Sequence, residues 1–313
     1  MEMVFQFVLL VAGFVLLIKG ADWFVEGASK IADKFGIPQI VIGLTIVAMG
    51  TSLPEAAVSI SAALKESADI TIGNVVGSNI MNVLVILGLT AVIRPIAVKQ
   101  NTLRYEIPFT IGITVLLAVL GLSDNTVGRI EGAVLWVFMI IYLAYLLWVS
   151  KTDKDAIEEA PEAGEKESIL KMIAMVLVGA GLIVLGSDVT VKAATAIATG
   201  FGMSERLVGL TIVALGTSLP ELVTSVTAAI KGKADIAVGN IVGSNIFNIL
   251  FVVGTTALIT PVPYSANFLI DSITAIAAMI LLFICALPGK KLNRIGGAVM
   301  LVGYLGYFIY LIQ

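Results

Sequence analysis

The sequence of 313 residues contains no histidine and a single cysteine, Cys285, which lies within an apolar run. One cysteine cannot form an internal disulfide, and without histidine the chain lacks the usual proton shuttle near neutral pH. Charged residues are also scarce, at 13% of the chain, whereas soluble proteins carry about 25%. Neither redox chemistry nor a soluble fold is therefore expected.

Long apolar stretches fill the sequence instead. Apolar side chains make up 58% of the residues, and the mean hydropathy is +1.04. A helix needs about 20 apolar residues to cross a bilayer. Ten such spans are predicted, at 3–32, 38–65, 70–93, 103–122, 128–149, 169–198, 204–230, 236–259, 266–287 and 294–312. The predicted fold class is an all-α polytopic membrane protein.

The second half of the sequence repeats the first. GLTIVAMGTSLPE at Gly43–Glu55 returns as GLTIVALGTSLPE at Gly209–Glu221. After a shift of 166 positions, roughly three in five residues agree between Gly43–Ile96 and Gly209–Val262. Because five helices per repeat is an odd number, the second repeat must enter the membrane upside down relative to the first. Such inverted repeats are typical of secondary transporters, whose substrate binds near the midplane between the halves.

One hydrophilic segment, 151–168, separates the repeats and contains DKDAIEEAPEAGEKE. Its charge density predicts a solvated linker between a first repeat at 1–150 and a second at 169–313. With the amino terminus outside, most Lys and Arg residues of the loops lie on the cytoplasmic side, as the positive-inside rule requires. Both termini are therefore expected outside the cell membrane, and the acidic linker inside.

Each repeat places a glutamate, Glu55 or Glu221, within a segment apolar enough to span the bilayer. An ionised carboxylate there costs at least a few kcal/mol, so it needs a partner, a cation or a water-filled cavity. The proline before each glutamate has no N–H and frees the carbonyl four residues earlier, which predicts broken helices 2 and 7 at the centre. The hydroxyls on the carboxylate's helix face belong to Thr51, Ser52, Thr217 and Ser218. Carboxylate, hydroxyl and carbonyl oxygens are ligands of hard cations such as Na⁺ and Ca²⁺.

The third helix of each repeat carries a second polar surface. It reads GNVVGSNIMN at Gly73–Asn82 and GNIVGSNIFN at Gly239–Asn248. Polar residues recur at every fourth position and project from one side, as Asn74, Ser78 and Asn82, and again as Asn240, Ser244 and Asn248. Helices two and three of each repeat are therefore expected to close around an ion. A structural hydrogen-bonding role is favoured for Asn74, Asn240, Asn79 and Asn245.

Two further carboxylates, Asp22 and Asp188, occupy matching positions in the first and sixth helices. Both lie near a predicted helix end, where water or a neighbouring donor could satisfy them. A direct role in transport is therefore not favoured for either.

Two copies of G-T-S-L-P-E, each followed by G-N-x-x-G-S-N-x-x-N, resemble the alpha repeats of the sodium/calcium exchanger branch of the calcium/cation antiporter superfamily. The resemblance covers essentially the whole chain and is to the prokaryotic type. It implies an antiporter, not an enzyme, that exchanges Na⁺ for Ca²⁺ by alternating access without a cofactor or an obligate protein partner. The family's ion ligands carry over onto Glu55, Glu221, Thr51, Ser52, Thr217, Ser218, Ser78, Ser244, Asn82 and Asn248, with backbone carbonyls from Ala48 and Ala214.

One position, Asn248, bears on potassium. K⁺-dependent exchangers resemble this pattern but carry an aspartate there. With asparagine in both repeats, the two glutamates alone give the centre a charge of about −2 at neutral pH. One Ca²⁺ balances this charge, and three Na⁺ exceed it by one. The resemblance therefore implies electrogenic, K⁺-independent exchange.

Other functions stay open on the sequence alone. A Ca²⁺/H⁺ antiporter, or one for another divalent cation, would exchange the metal for protons on the same glutamates. A passive cation channel would conduct without a counter-ion. A structural membrane protein would be indifferent to neutralisation of Glu55 and Glu221. An ATP-driven pump is disfavoured because the sequence has neither a phosphate-binding loop nor a soluble nucleotide domain.

Overall fold

The computed structural model of the chain describes residues 2–64, 68, 70–152, 168–202, 214–265 and 268–312, which are mostly helical. The α-helices are α1 (Glu2–Phe35), α2 (Gln39–Ile42), α3 (Ala48–Thr51), α4 (Leu53–Leu64), α5 (Ile70–Met81), α6 (Gly88–Ile93), α7 (Ile107–Asp124), α8 (Arg129–Thr152), α9 (Ile169–Gly200), α10 (Ala214–Thr217), α11 (Leu219–Ile230), α12 (Ala234–Phe247), α13 (Gly254–Ile259), α14 (Phe268–Ala286) and α15 (Arg294–Ile312). Within the same residues, π-helical segments occupy Gly43–Val47, Asn82–Leu87, Thr102–Glu106 and Asn248–Val253.

Eight helices in the described part of the chain are long and apolar enough to cross a membrane. A ninth span results if the bent pair Gln39–Thr51 and Leu53–Leu64 counts as one. These agree with nine of the predicted spans to within a few residues at each end. The predicted span 204–230 is described only from residue 214 onward, and most of the predicted linker, 153–167, lies outside the described residues. The chain is a helical membrane protein.

The two longest helices, α1 and α9, pack against each other along much of their lengths. Glycines permit the close approach: a Cβ on Gly20 would lie 2.8 Å from the Gly179 carbonyl oxygen, and one on Gly186 would lie 2.7 Å from the Leu17 amide nitrogen. Small residues of this kind allow van der Waals packing between helices that lipid surrounds. The pair forms an outer layer, with many apolar side chains exposed to the surroundings.

The centre is formed by the helices that carry the repeated asparagines. The most apolar part of Ala234–Ile259 is 94% buried, and that of Ile70–Ile93 is 72% buried. Each continues through a π-helical segment whose first residue is an asparagine, Asn82 or Asn248. The segment from each repeat packs against the glutamate-bearing helix, α4 or α11, of the other repeat. The two repeats therefore meet at the centre of the molecule.

Two pairs of very short antiparallel strands join segments from the two repeats. Strand β1 (Ile96–Ala97) pairs with β4 (Lys291–Leu292), and β2 (Thr126–Val127) pairs with β3 (Val262–Pro263). Hydropathy alone cannot detect pairing of this length, so the strands are an addition to the predicted all-α class.

Candidate cation-binding site

The first glutamate follows a break in the second membrane segment. Helix α3 ends at Thr51, Ser52 adopts φ −84° and ψ 8°, and the axis of α4 is bent by 50° from that of the preceding helix. Pro54 accounts for the break because it cannot donate to the carbonyl of Gly50. As a result Glu55 lies in the first turn of α4, where it is only 1% exposed.

The second glutamate is placed in the same way. Helix α10 ends at Thr217, Ser218 adopts φ −91° and ψ 3°, and Glu221 lies fully buried in the first turn of α11. A break therefore occurs at the same position of both repeats. The preceding residues, 203–213, lie outside the described residues, and Ala214 is described only as the first residue of α10.

Hydroxyl groups from both repeats surround the two carboxylates. Ser52 Oγ donates to Glu221 Oε1 at 2.9 Å, and Ser244 Oγ lies 3.5 Å from the same oxygen. The hydroxyl of Ser78 lies beside the carboxyl group of Glu55. The expectation that Ser52 faces the carboxylate of its own helix assumed continuous helical geometry. Because the helix breaks at Ser52, its hydroxyl instead reaches the glutamate of the other repeat.

The second oxygen of each carboxyl group has no partner. Glu55 Oε2 and Glu221 Oε2 are both buried without a hydrogen bond, as is Ser218 Oγ. Across the described residues, every ion pair of Lys or Arg involves other carboxylates. The two glutamates are also close enough to repel each other electrostatically. Buried charges in this situation are strongly destabilising unless a cation compensates them.

Four asparagines from α5, α12 and the π-helical segments form a reciprocal network. Asn79 Nδ2 donates to the backbone carbonyl of Asn245 at 3.1 Å, and Asn245 Nδ2 donates to the backbone carbonyl of Asn79 at 3.2 Å. Asn82 Nδ2 donates to Asn245 Oδ1 at 3.0 Å, and Asn248 Nδ2 donates to Asn79 Oδ1 at 3.1 Å. Each of these bonds has an equivalent in which every residue is replaced by the one at the same position of the other repeat. With their Nδ2 groups engaged, Asn82 and Asn248 retain buried Oδ1 atoms without partners.

The remaining polar residues of the central helices connect the backbone around the site. Asn74 Nδ2 donates to the backbone carbonyl of Glu55 at 3.2 Å and to the Ser59 hydroxyl at 2.9 Å. Asn240 makes the two equivalent contacts in the second repeat, at 3.3 and 2.9 Å. Its Oδ1 also accepts from the Thr51 hydroxyl at 2.9 Å. These contacts correspond to the structural role predicted for Asn74 and Asn240.

The carbonyl oxygen of Ala48 lies beside the same hydroxyl groups. Thr51 Oγ1 lies 3.2 Å from it, and Ser244 Oγ donates to it at 3.3 Å. Because Ser244 also lies near Glu221, this carbonyl is close to the carboxylates but engaged by a protein donor. Thr217 is half-buried.

The outer carboxylates are paired and partly exposed. Asp22 lies 2.6 Å from Lys231 Nζ, and Asp188 lies 2.7 Å from Lys192 Nζ. Both aspartates therefore have local cations, but the prediction that they lie near helix ends is wrong, because α1 runs from Glu2 to Phe35 and α9 from Ile169 to Gly200. In the described residues no three His, Cys, Asp or Glu side chains come together. The central site consequently consists of two carboxylates and neutral oxygens.

The cross-repeat role of Asn79 and Asn245 was not foreseen from the sequence. The spacing of four residues that singled out Asn82 and Asn248 leaves Asn79 and Asn245 one position off that face. Their signal was the identity of the motif G-S-N-x-x-N in both repeats, which places an amide three residues before each of the candidate ligands.

The fold and the site together define a helical membrane protein with unpaired buried carboxylates where its two repeats meet. The family model described as sodium/calcium exchanger protein matches residues 5–148 and 171–313. The chain therefore belongs to the sodium/calcium exchanger family, a family of transporters and not of enzymes.

Individual relatives agree with this assignment. CaxA of Alkalimonas amylolytica, provisionally named an antiporter, is 41% identical over 313 residues, covering 97% of this chain and 98% of its own. The sodium/calcium exchanger MaX1 of Methanosarcina acetivorans is 32% identical over 349 residues, covering 98% of each chain. A solved structure of the sodium-calcium exchanger NCX_Mj is 31% identical with a TM-score of 0.83, covering 98% of this chain and 99% of its own. Other NCX_Mj structures were soaked with Na⁺ and with Ca²⁺ or Sr²⁺. The predicted resemblance to prokaryotic exchangers is confirmed.

Proposed function

We propose that this protein exchanges Na⁺ for Ca²⁺ across the cell membrane by alternating access, with both ions bound at the paired glutamates. The observation that carries the proposal is a set of four buried oxygens without partners, namely Glu55 Oε2, Glu221 Oε2, Asn82 Oδ1 and Asn248 Oδ1. All four oxygens can accept a hydrogen bond or bind a cation. Among the described residues, the ion pairs of Lys and Arg involve other carboxylates and bring no positive charge to this centre. The names of MaX1 and NCX_Mj support Na⁺ and Ca²⁺ as the cations that supply it.

Calcium is expected to bind between the two carboxylates. Ca²⁺ takes about 6–8 oxygen ligands, with carboxylate, carbonyl and amide oxygens all suitable. Glu55 and Glu221 would provide the charge, and the remaining ligands would be neutral oxygens. For the ions together we assign Thr51, Ser52, Thr217, Ser218, Asn82 and Asn248 near the centre, with Ser78, Ser244 and the carbonyls of Ala48 and Ala214 at flanking Na⁺ positions.

The charge of the site couples the two ions. Glu55 and Glu221 together carry about −2 when ionised, which one Ca²⁺ neutralises and three Na⁺ overcompensate. An empty occluded site would hold two uncompensated charges, each costing several kcal/mol. A loaded site therefore changes conformation more easily than an empty one, which favours exchange over leak. Asn248 adds no charge, so K⁺ is not required, and exchange of three Na⁺ for one Ca²⁺ would be electrogenic.

The membrane arrangement follows from the same repeat. We place ten spans in two inverted repeats, 1–150 and 169–313, joined by the linker 151–168. The reciprocal asparagine bonds support a two-fold relation between the repeats, since each bond has a counterpart. The distribution of Lys and Arg favours both termini outside the plasma membrane and the linker in the cytoplasm.

The rival proposal is a Ca²⁺/H⁺ antiporter of the same fold. Protons could neutralise the unpaired oxygens of Glu55 and Glu221 in place of Na⁺, and the geometry of the carboxylates suits either counter-ion. A passive cation channel would use the same oxygens without exchange. The three differ in what drives calcium movement.

Calcium uptake into vesicles tests the proposal. Vesicles containing the purified protein are loaded with Na⁺ and diluted into Na⁺-free medium with radioactive Ca²⁺. We expect uptake that depends on the outward Na⁺ gradient, that is unchanged by K⁺, and that responds to membrane potential. Glu55→Gln and Glu221→Gln should abolish it, while Asp188→Asn, which alters a paired carboxylate outside the site, should not.

The outcomes separate the alternatives. Uptake driven by a proton gradient without Na⁺ would replace our proposal by Ca²⁺/H⁺ exchange. Calcium flux that needs no counter-ion would indicate a channel. Full Na⁺-driven uptake in both glutamine variants would refute the site itself.

A further inference from the structure

A third buried carboxyl group without a cation lies away from the paired glutamates. Glu106 ends the π-helical segment that precedes α7 and is 2% exposed. The Tyr145 hydroxyl on α8 donates to Glu106 Oε1 at 2.5 Å, whereas Glu106 Oε2 has no partner. Thr102 Oγ1, four residues earlier, is likewise buried without a partner. None of the ion pairs found among the described residues includes Glu106.

Glu106 lines a groove between the start of α7 and α8, with a volume of about 280 Å³. Two aromatic pairs form its walls: Tyr105 with Tyr145, at a centroid distance of 6.3 Å, and Phe109 with Tyr142, at 5.6 Å. The groove is mostly apolar, so it suits a hydrocarbon chain.

A positively charged side chain also lines this groove. The exposed Arg104 also lines the groove, and its guanidinium lies 5.6 Å from the Tyr105 ring centroid. The apolar span Thr102–Asp124 begins two residues earlier, which places Arg104 at the depth of the lipid headgroups. The groove therefore combines an exposed cation, a mostly apolar lining and a buried carboxyl group with one unpartnered oxygen.

We propose that this groove binds a phospholipid with an ethanolamine headgroup. The phosphate binds Arg104, and one acyl chain lies along the wall formed by Phe109 and Tyr142. The ammonium group lies against Tyr145, whose ring face attracts cations. Because the Tyr145 hydroxyl donates its hydrogen bond to Glu106, the lone pairs of its oxygen can accept an N–H from the headgroup. The ammonium then supplies the positive charge that Glu106 lacks in the protein.

Hydrogen-bonding capacity distinguishes this headgroup from choline. Phosphatidylethanolamine carries N–H donors, whereas phosphatidylcholine has the same phosphate, the same chains and a positive charge but no N–H. A charge-assisted hydrogen bond is about twice as strong as a neutral one. We therefore expect the ethanolamine lipid to be retained over the choline lipid by a factor on the order of ten.

Native mass spectrometry of the purified protein measures this preference directly. The protein is equilibrated with equal amounts of dioleoyl phosphatidylethanolamine and dioleoyl phosphatidylcholine, and retained lipids are counted. The N-monomethyl and N,N-dimethyl ethanolamine lipids are then compared in the same way. Preference should fall stepwise as N–H groups are removed, and this series needs no variant that could fail to fold.

Two variants and a matched control locate the effect. Glu106→Gln should reduce the ethanolamine preference toward parity, while Arg104→Gln should weaken both lipids alike because both carry the phosphate. Asp271→Asn alters a similar pair, in which Tyr307 donates to Asp271 Oδ1 at 2.9 Å, and should leave the preference unchanged. Equal retention of the two lipids by the unaltered protein, or an undiminished preference in Glu106→Gln, would overturn the proposal.

Discussion

Removal of the Asn245 side chain should weaken calcium binding although Asn245 itself is not a proposed ligand. In Asn245→Ala, Asn82 Nδ2 loses its acceptor at 3.0 Å, and the Asn79 carbonyl loses a donor at 3.2 Å. A buried donor left without a partner costs about 1–3 kcal/mol. Asn82 can recover part of this cost by rotating its amide, which exchanges the positions of Nδ2 and of the unpartnered Oδ1, a proposed ion ligand.

The rotated amide presents a donor where the cation needs an acceptor. If the binding free energy of Ca²⁺ falls by the same amount, the dissociation constant rises by roughly one to two orders of magnitude, since about 1.4 kcal/mol corresponds to tenfold. Asn79→Ala should act in the same way through Asn248, because the two bonds are equivalent. The maximal rate of exchange at saturating Ca²⁺ should change much less than the affinity.

Calcium titration by calorimetry, with thermal unfolding recorded on the same samples, provides the assay. Tyr264→Phe is the matched control: it removes a buried hydroxyl that contacts Ser272 Oγ at 2.8 Å and the Phe268 carbonyl at 3.3 Å, away from the site. Both variants should lose stability, but only Asn245→Ala should lose affinity. Equal affinity in both, or an unaltered affinity in Asn245→Ala, would refute the positioning role.

Three further predictions concern other contacts. Ser52→Ala removes the 2.9 Å bond to Glu221 and should raise the dissociation constant of Ca²⁺ severalfold in the same titration, with an unchanged value contradicting cross-repeat coordination. Gly20→Leu should lower thermal stability by about 1–3 kcal/mol through overpacking of α1 against α9. Gly181→Leu, where a Cβ would meet nothing within 4 Å, should not, and equal losses would argue against the close packing. Asn248→Asp adds a third negative charge that one Ca²⁺ does not balance, so uptake of radioactive Ca²⁺ should slow and should recover when K⁺ is supplied with Ca²⁺, and uptake that is insensitive to both would contradict the charge argument.

Much of the fold could be predicted because few physical rules govern a chain in lipid. Apolar runs of about 20 residues mark the spans, and Pro54 before a buried Glu55 marks both a break and a charge that needs a cation. Those features are local, so the sequence displays them directly. Their repetition at Glu221 indicates that both belong to one central site.

The contacts between the repeats could not be predicted in the same way. Helical spacing assigns residues to a face but does not say which helix lies opposite. It therefore placed Ser52 with Glu55, whereas the break directs Ser52 to Glu221. The π-helical segments after Met81 and Phe247 have no counterpart in the hydropathy pattern, because a single wider turn leaves an apolar run apolar.

The hydrogen bonds of the asparagine network are symmetric between the two repeats, whereas those of the serines beside the carboxylates are not. Each amide bond has its counterpart in the other repeat, so the scaffold that joins α5 and α12 is symmetric between the two repeats. The hydroxyls do not follow this rule, since Ser52 donates to Glu221 while Ser218 Oγ has no partner. A site that opens to alternate sides must differ between its two halves in any one conformation. Here the difference lies among the proposed ion ligands, while the amides that orient Asn82 and Asn248 stay symmetric. In the proposed alternating-access cycle, we expect the Ser52 bond to be replaced by one between Ser218 and Glu55 while the amide network stays in place.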